Sequence, residues 1–417
     1  MLLVEAGFIT GISFAPWRTN FNHDEEQVGS WPIRFLLFKL MLMSGIVKIQ
    51  ANCPTWKNLT ALEYHFATQC LPGPFAWHAH QLPPILLRLG VAATFVIEIP
   101  FSFLLVSPFG TMRKVGSWMQ ILLQVLIIST GNYNFFNLLT MTLCLPCMIG
   151  EVPRENRTKF YHRAWNAIQY VVCAMCLVWA CKEMFAFERI ADVDDPNRQI
   201  IGLKLVMSVD DCNEILKTAV PLTVACTLIF TVSTEVRSIL RKRRIGLSSC
   251  THCLVCCMCI AMTAQPLIDL SPNFHRTSAG RILSTLGMQS ARRYTRHISH
   301  GYGLFRRMTG VGLQPIGDKS VGWAGLPPSI VARPEIILEV ILDDSEEWRE
   351  LNFSWKPGRL DKFPLQVAPH QVSQSRILSL RNQLLPNFTL SCICRSSLDL
   401  TGECGSLHCL HSNKIHG

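Results

Sequence analysis

Charge is scarce in this chain. Asp, Glu, Lys and Arg make up 16% of its 417 residues, against about a quarter in an ordinary soluble domain. Hydrophobic residues make up 49%, and the mean hydropathy is +0.25. So apolar a chain of this length reads as a polytopic membrane protein rather than a soluble globule. The familiar signatures of catalysis are missing too: no phosphate-binding Walker loop, no GxSxG elbow, no HExxH pair and no Ser/His/Asp order. Hydrolase and nucleotide-driven readings therefore lack their motifs. The opening MLLVEAGFITGISFAPW has neither a basic leading region nor a small-residue cleavage site, so it is no signal peptide; it reads as the second half of a membrane segment. Cysteine is plentiful at 18 residues, but it clusters inside apolar stretches, which excludes the disulfide framework of a small secreted domain.

The net charge of +10 does not point to nucleic acid, because the basic residues flank apolar spans, where they set topology. About 20 apolar residues cross a bilayer, and stretches of that order fall near 33–50, 85–107, 118–149, 166–187, 219–235 and 250–269. The third is too long for one span. It is interrupted by GNYNFFN, which puts Asn132, Asn134 and Asn137 near membrane depth, where they need partners inside the protein; a helical hairpin or re-entrant pair is expected. Residues 1–269 thus form a multi-pass helical domain.

Orientation follows from the basic bias of short loops. RSILRKRR (237–244) holds the loop between the fifth and sixth stretches in the cytosol. The loops 108–117 and 150–165 follow it, while 51–84, 188–218 and everything after 270, the C-terminus included, face the lumen. The acceptor sequons at Asn58, Asn352 and Asn387 all fall on the lumenal side, whereas Asn156 falls on the cytosolic side and stays bare. From residue 334, PEIILEVILDDSEEWRELNFSWKPG has β-branched and alternating runs around an acidic turn, the pattern of a hairpin. The expected fold is therefore mainly α, a polytopic helical membrane protein followed by an incomplete lumenal β-rich domain over 270–371.

Residues 60–80, TALEYHFATQCLPGPFAWHAH, concentrate chemistry in a short connection. Glu63, His65, His78 and His80 suggest an acid/base or metal set, but His78-x-His80 suits one face of a strand and no zinc quartet accompanies it. Trp77 and the neighbouring prolines suit anchoring at the membrane surface instead. Cys53 and Cys70 can close a disulfide over Asn58 in an oxidising lumen, or remain unpaired. Lys39 and Glu98 are ionisable groups at membrane depth, where charge is expected to be paired, and a Lys39–Glu98 pair is the expectation; Lys48 and Arg88, nearer the span ends, can snorkel. CTHCLVCCMC (250–259) looks like a metal knot, yet it continues into apolar IAMTA after a basic run, and so reads as a cysteine-rich membrane helix with a site for acylation at its cytosolic end.

Several of these stretches resemble the lipase maturation factor family: RFLLFKLMLMSGIVKI (34–49), CPTWKNLTALEYHFATQCLP (53–72), ATFVIEIP (93–100), QVLIISTGNYNFFNLLT (124–140), GYGLFRRMTGVG (301–312) and the segment 332–371. The resemblance implies a multi-pass protein of the endoplasmic reticulum that helps newly made dimeric lipases, such as lipoprotein lipase, reach an active, exportable form. It implies no enzyme and no cofactor. It also marks Tyr302, Gly303, Leu304, Phe305, Arg306 and Arg307 as client-binding or packing residues. The chain departs from the family at 313–331, which interrupts a continuous stretch, and over 372–417, an unstructured tail; translated intron sequence or a splice variant accounts for both. The rival reading is an integral membrane enzyme with Lys39, Glu63, His65 and Glu98 around one pocket for a lipid-soluble substrate. A transporter lacks its inverted repeats.

Overall fold

A computed structural model describes residues 1–14, 23–69, 72–131, 135–148, 159–191, 199–242, 247–270, 297–303, 305–308, 336–341, 348–350 and 394–396. The elements run α1 (Leu2–Ser13), α2 (His23–Gln50), α3 (Pro54–Lys57), α4 (Ala61–Thr68), α5 (Ala76–His80), α6 (Pro84–Glu98), α7 (Pro100–Leu105), α8 (Gly110–Thr130), α9 (Phe136–Met148), α10 (Lys159–Met184), β1 (Phe185–Ala191), β2 (Gln199–Leu205), α11 (Val209–Lys242), α12 (Leu247–Asp269), β3 (Ile336–Ile341), β4 (Trp348–Glu350) and β5 (Cys394–Ser396). They divide into two compact units, one holding 1–61, 84–126 and 136–307, the other 62–83, 127–135 and 308–417.

In the first unit α2 is the axis. Its sequence is apolar around the whole circumference, the pattern of an enclosed helix rather than a surface one, and every residue from Val28 to Ile49 is buried. Helices α1, α6, α7, α9, α11 and α12 pack around it. Glycines set the closest approaches. A Cβ on Gly45 would lie 2.5 Å from Ile99 Cγ1 and 3.1 Å from Glu98 Cβ, and one on Gly116 would lie 3.0 Å from Leu104 Cβ. The α6–α7 kink falls at Glu98-Ile99-Pro100, where proline lacks the amide that would continue the ladder; Gln120 of α8 donates to the Ile97 carbonyl at 2.7 Å. Gln50 closes the far end of α2, donating to Asn213 Oδ1 at 2.9 Å and to the Leu270 carbonyl at 3.0 Å.

Among the described residues four helices are long and apolar enough to cross a membrane: Pro84–Leu105, Ala164–Met184, Val209–Leu240 and Ser249–Asp269. They correspond to the second, fourth, fifth and sixth expected spans. The first, 33–50, is not among them, since Arg34, Lys39 and Lys48 interrupt its apolar run; the helix forms but is enclosed by its neighbours instead. The stretch 118–149 does divide into two helices, α8 and α9, on either side of the asparagine-rich break. Asn137 Nδ2 donates to Gln124 Oε1 at 2.9 Å, so a buried amide is satisfied across the hairpin. Asn132 and Asn134 lie outside the described residues. Much of α10 is exposed and apolar, with Val171, Met175, Val178 and Trp179 outward, a surface suited to lipid.

One element was not anticipated. Phe185–Ala191 and Gln199–Leu205 pair antiparallel, Phe185 opposite Leu205, as a hairpin between α10 and α11. In the second unit Pro72 and Gly131 form an isolated antiparallel bridge, and α4 and α5 make the connection 60–80 helical. The hairpin expected after residue 334 is present, Ile341 opposite Trp348, with β5 on the other edge of β3. The expected β-rich domain over 270–371 is not: among the described residues this region supplies only the short strands β3 and β4. A nine-residue β face is too small to bury a core of its own.

Candidate functional site

Lys39, Met43 and Val47 stand four residues apart on α2 and form one ridge of the helix. The segment 299–303 lies along that ridge. Ser299 and His300 meet Lys39, Gly301 faces Met43, and Gly303 faces Val47. Glycine lets the backbone come close at the contact: a Cβ on Gly303 would sit 3.3 Å from both Val47 methyls, and one on Gly301 would sit 3.3 Å from Met43 Cε. Beyond it Phe305 takes φ 55°, in the left-handed region, and its carbonyl accepts from Trp56 Nε1 at 2.9 Å. The chain is thus a strap pinned at both ends.

The inner pin is a buried polar network. Lys39 Nζ pairs with Glu5 Oε1 and donates to Ser299 Oγ and the His300 carbonyl, each at 3.2 Å. Ser299 Oγ donates to Glu5 Oε1 at 2.9 Å, and Tyr302 Oη donates to Glu5 Oε2 at 2.5 Å. Lys39 also stands 5.0 Å from the Tyr302 ring centroid. Both ionised side chains are 0% exposed. A charge at that depth persists only when paired and hydrogen-bonded.

Trp56, the outer pin, stands beside a second buried pair. Lys48 Nζ donates to Glu98 Oε1 and Oε2 at 2.9 and 2.6 Å and to the Ser44 carbonyl at 2.9 Å. It lies 5.3 Å from the centroid of Trp56, whose ring meets Phe95 edge-on at 5.6 Å. Lys48 does not snorkel, being 2% exposed. The expected Lys39–Glu98 pair is therefore corrected: Lys39 takes Glu5, and Glu98 takes Lys48. Nine residues separate the two lysines, which on an α-helix is about 13–14 Å along the axis and half a turn around it. Glu98 can reach only the nearer lysine. The same geometry keeps Lys39 and Glu98 from sharing one pocket, since each is held by a different partner.

The sequence missed Glu5, though the rule that flagged Lys39 applies equally to a carboxylate inside LLVEAGF. Ser299 and Trp56 carried no signal of their own. Of the expected strap residues, Tyr302 and Gly303 pack on the helices, Phe305, Arg306 and Arg307 are exposed, and Leu304 lies outside the described residues. His78 and His80 belong to a short helix rather than a strand, so they point about 200° apart. His78 instead meets Trp77 edge-on at 5.0 Å, and Trp77 is 63% exposed. His65 packs edge-on against Phe66 at 5.6 Å. Cys53 is buried and unbridged, 3.2 Å from Thr55 Oγ1, and Asn58 is exposed at the end of α3. Cys70, Asn352 and Asn387 lie outside the described residues. Cys250–Cys259 is helical, within α12. Among the described residues no group of three or more His, Cys, Asp or Glu side chains is arranged to hold a metal ion.

A family model, the lipase maturation factor transmembrane domain, matches residues 1–153, the part that holds Glu5, Lys39, Lys48 and Glu98. Lipase maturation factor 2 of Gallus gallus is 32% identical over 400 residues, covering 89% of this chain and 51% of the relative. Lipase maturation factor 2 of Homo sapiens is 33% identical over 404 residues, covering 89% and 53%. Lipase maturation factor 1 of Mus musculus is 34% identical over 149 residues, covering 35% of this chain and 25% of the relative. The chain spans about half the length of the lipase maturation factor 2 relatives it matches. No solved structure matches it. Residues 1–153 thus match the lipase maturation factor transmembrane domain, and the chain is similar to lipase maturation factor 2 across most of its length.

Proposed function

We propose that this chain is an endoplasmic reticulum membrane protein that assists the folding and export of secreted proteins, dimeric lipases such as lipoprotein lipase among them, without catalysing a reaction. The observation that carries this reading is the likeness to proteins named lipase maturation factors. The strap supports it. Ser299, His300 and Tyr302 meet Lys39 and Glu5, and Trp56 holds the Phe305 carbonyl, which leaves the exposed side chains of Phe305, Arg306 and Arg307 for contact. A factor of this kind acts by favouring the assembled client over its exposed, aggregation-prone surface, which needs contact area and no reactive group.

In this reading the loop 51–84 and the C-terminal region face the lumen, and Asn58, Asn352 and Asn387 carry glycans. The test expresses the full chain in cells lacking the endogenous factor and measures secreted lipoprotein lipase activity per mass of secreted lipase, with glycosidase sensitivity at Asn58 and Asn156. Restored specific activity with glycan on Asn58 and none on Asn156 is expected. Glycan on Asn156 would overturn the orientation, and correct glycosylation without rescue would overturn the lipase role.

A further inference from the structure

The cysteine-rich start of α12 has no part in either lock. Cys250, Leu254 and Met258 recur every four residues and form one exposed ridge, with Leu254 61% and Met258 56% exposed. Cys253 is half-buried beside that ridge, while Cys256 and Cys259 face inward and are buried. His252, on the inner face, is held by the Ser13 carbonyl at 2.8 Å, which fixes the rotation of the helix. Two accessible thiols therefore occupy the first two turns of a helix apolar enough to cross a membrane, directly after the basic run RSILRKRR.

We propose that Cys250, with Cys253 as a second acceptor, is S-acylated by a long-chain fatty acyl group. The donor class is a long-chain acyl-coenzyme A. The cysteine sulfur forms a bond to the acyl carbonyl carbon, the bond from that carbon to the coenzyme A sulfur breaks, and the cysteine proton leaves with coenzyme A as its free thiol. Three features of the site suit this chemistry. The thiols lie at the end of a span, where an acyl chain can enter the bilayer alongside Leu254 and Met258. The basic run draws that end to anionic headgroups. It also keeps the loop on the cytosolic side, where acyl-coenzyme A is available. Cys176 of α10 is exposed as well, but it lies in the middle of the span Ala164–Met184 with no basic run beside it.

The test uses the full chain in mammalian membranes. Free thiols are blocked with N-ethylmaleimide, thioesters are cleaved with neutral hydroxylamine, and the released thiols are tagged with maleimide-polyethylene glycol. A hydroxylamine-dependent mobility shift is expected in the wild type and in C256S/C259S, weakened in C250S and lost in C250S/C253S. Peptide mass spectrometry of wild-type chain labelled with an alkynyl fatty acid provides a readout that does not depend on how the variants fold. No hydroxylamine-dependent shift, a shift that survives C250S/C253S, or label mapped to Cys176 would each overturn the proposal.

Discussion

Lys39→Met leaves Glu5 as a carboxylate at 0% exposure with only Ser299 and Tyr302 as partners. Breaking a buried pair from one side costs about 3–5 kcal/mol, and each 1.4 kcal/mol is about tenfold in an equilibrium. Docking of the strap, whose inner pin is this network, should therefore weaken by roughly 150- to 4,000-fold. Hydrogen exchange of the peptide covering 297–303 in nanodiscs reads this directly, and the midpoint of thermal unfolding reads its global share. The double variant Lys39→Met with Glu5→Gln removes both charges and should recover most of the loss, because a neutral pair carries no uncompensated buried charge. The exchange Lys39→Glu with Glu5→Lys should recover part of it. By contrast, Lys39→Glu with Glu98→Lys should be worse than either single change, since it strands both pairs. A cost for Lys39→Met below about 1 kcal/mol, or rescue by the Lys39/Glu98 exchange, would refute the assignment of partners.

Gly303→Ala should cost about 1–3 kcal/mol through overpacking on Val47, and Val47→Ala in the same chain should relieve it; thermal unfolding of the four-member cycle measures the coupling. Trp56→Phe keeps an aromatic ring against Phe95 but leaves the Phe305 carbonyl without its donor, for a loss of about 1–3 kcal/mol and faster exchange at the strap's outer end. Gly45→Ala should press α6 away from α2 at Ile99 and lower the unfolding midpoint, while Gly45→Ala with Ile99→Ala should restore part of it; an unchanged midpoint in the single variant would refute the close approach.

The helical membrane character was legible in the sequence because it rests on local properties. Scarce charge, apolar runs of spanning length and the asparagine-rich break identified four helices long and apolar enough to span and the division of 118–149 into α8 and α9 without knowledge of any contact. The hairpin after residue 334 was legible for the same reason, since two short β-branched runs around a turn pair with each other. The expected β-rich domain failed because a hairpin pattern says nothing of how many further strands join it. The hairpin of Phe185–Ala191 and Gln199–Leu205 escaped notice because its first strand continues the apolar run of α10, so hydropathy alone carried the span past its end.

The strap divides along the same line. The family resemblance marked GYGLFRR as a unit, and the sequence alone marked Lys39 and Glu98 as charges in need of partners, because the cost of a bare charge in an apolar setting does not depend on the fold. Which partner each took depended on rotation about α2. Lys39 and Lys48 look interchangeable along the chain, yet half a turn separates them, and only the packing of α1 on one side and α6 on the other sent Glu5 to the first and Glu98 to the second. What the two strap glycines do is likewise not written in the sequence. Their tertiary role is to bring the strap backbone onto the Met43 and Val47 ridge, a distance that only the assembled helices set.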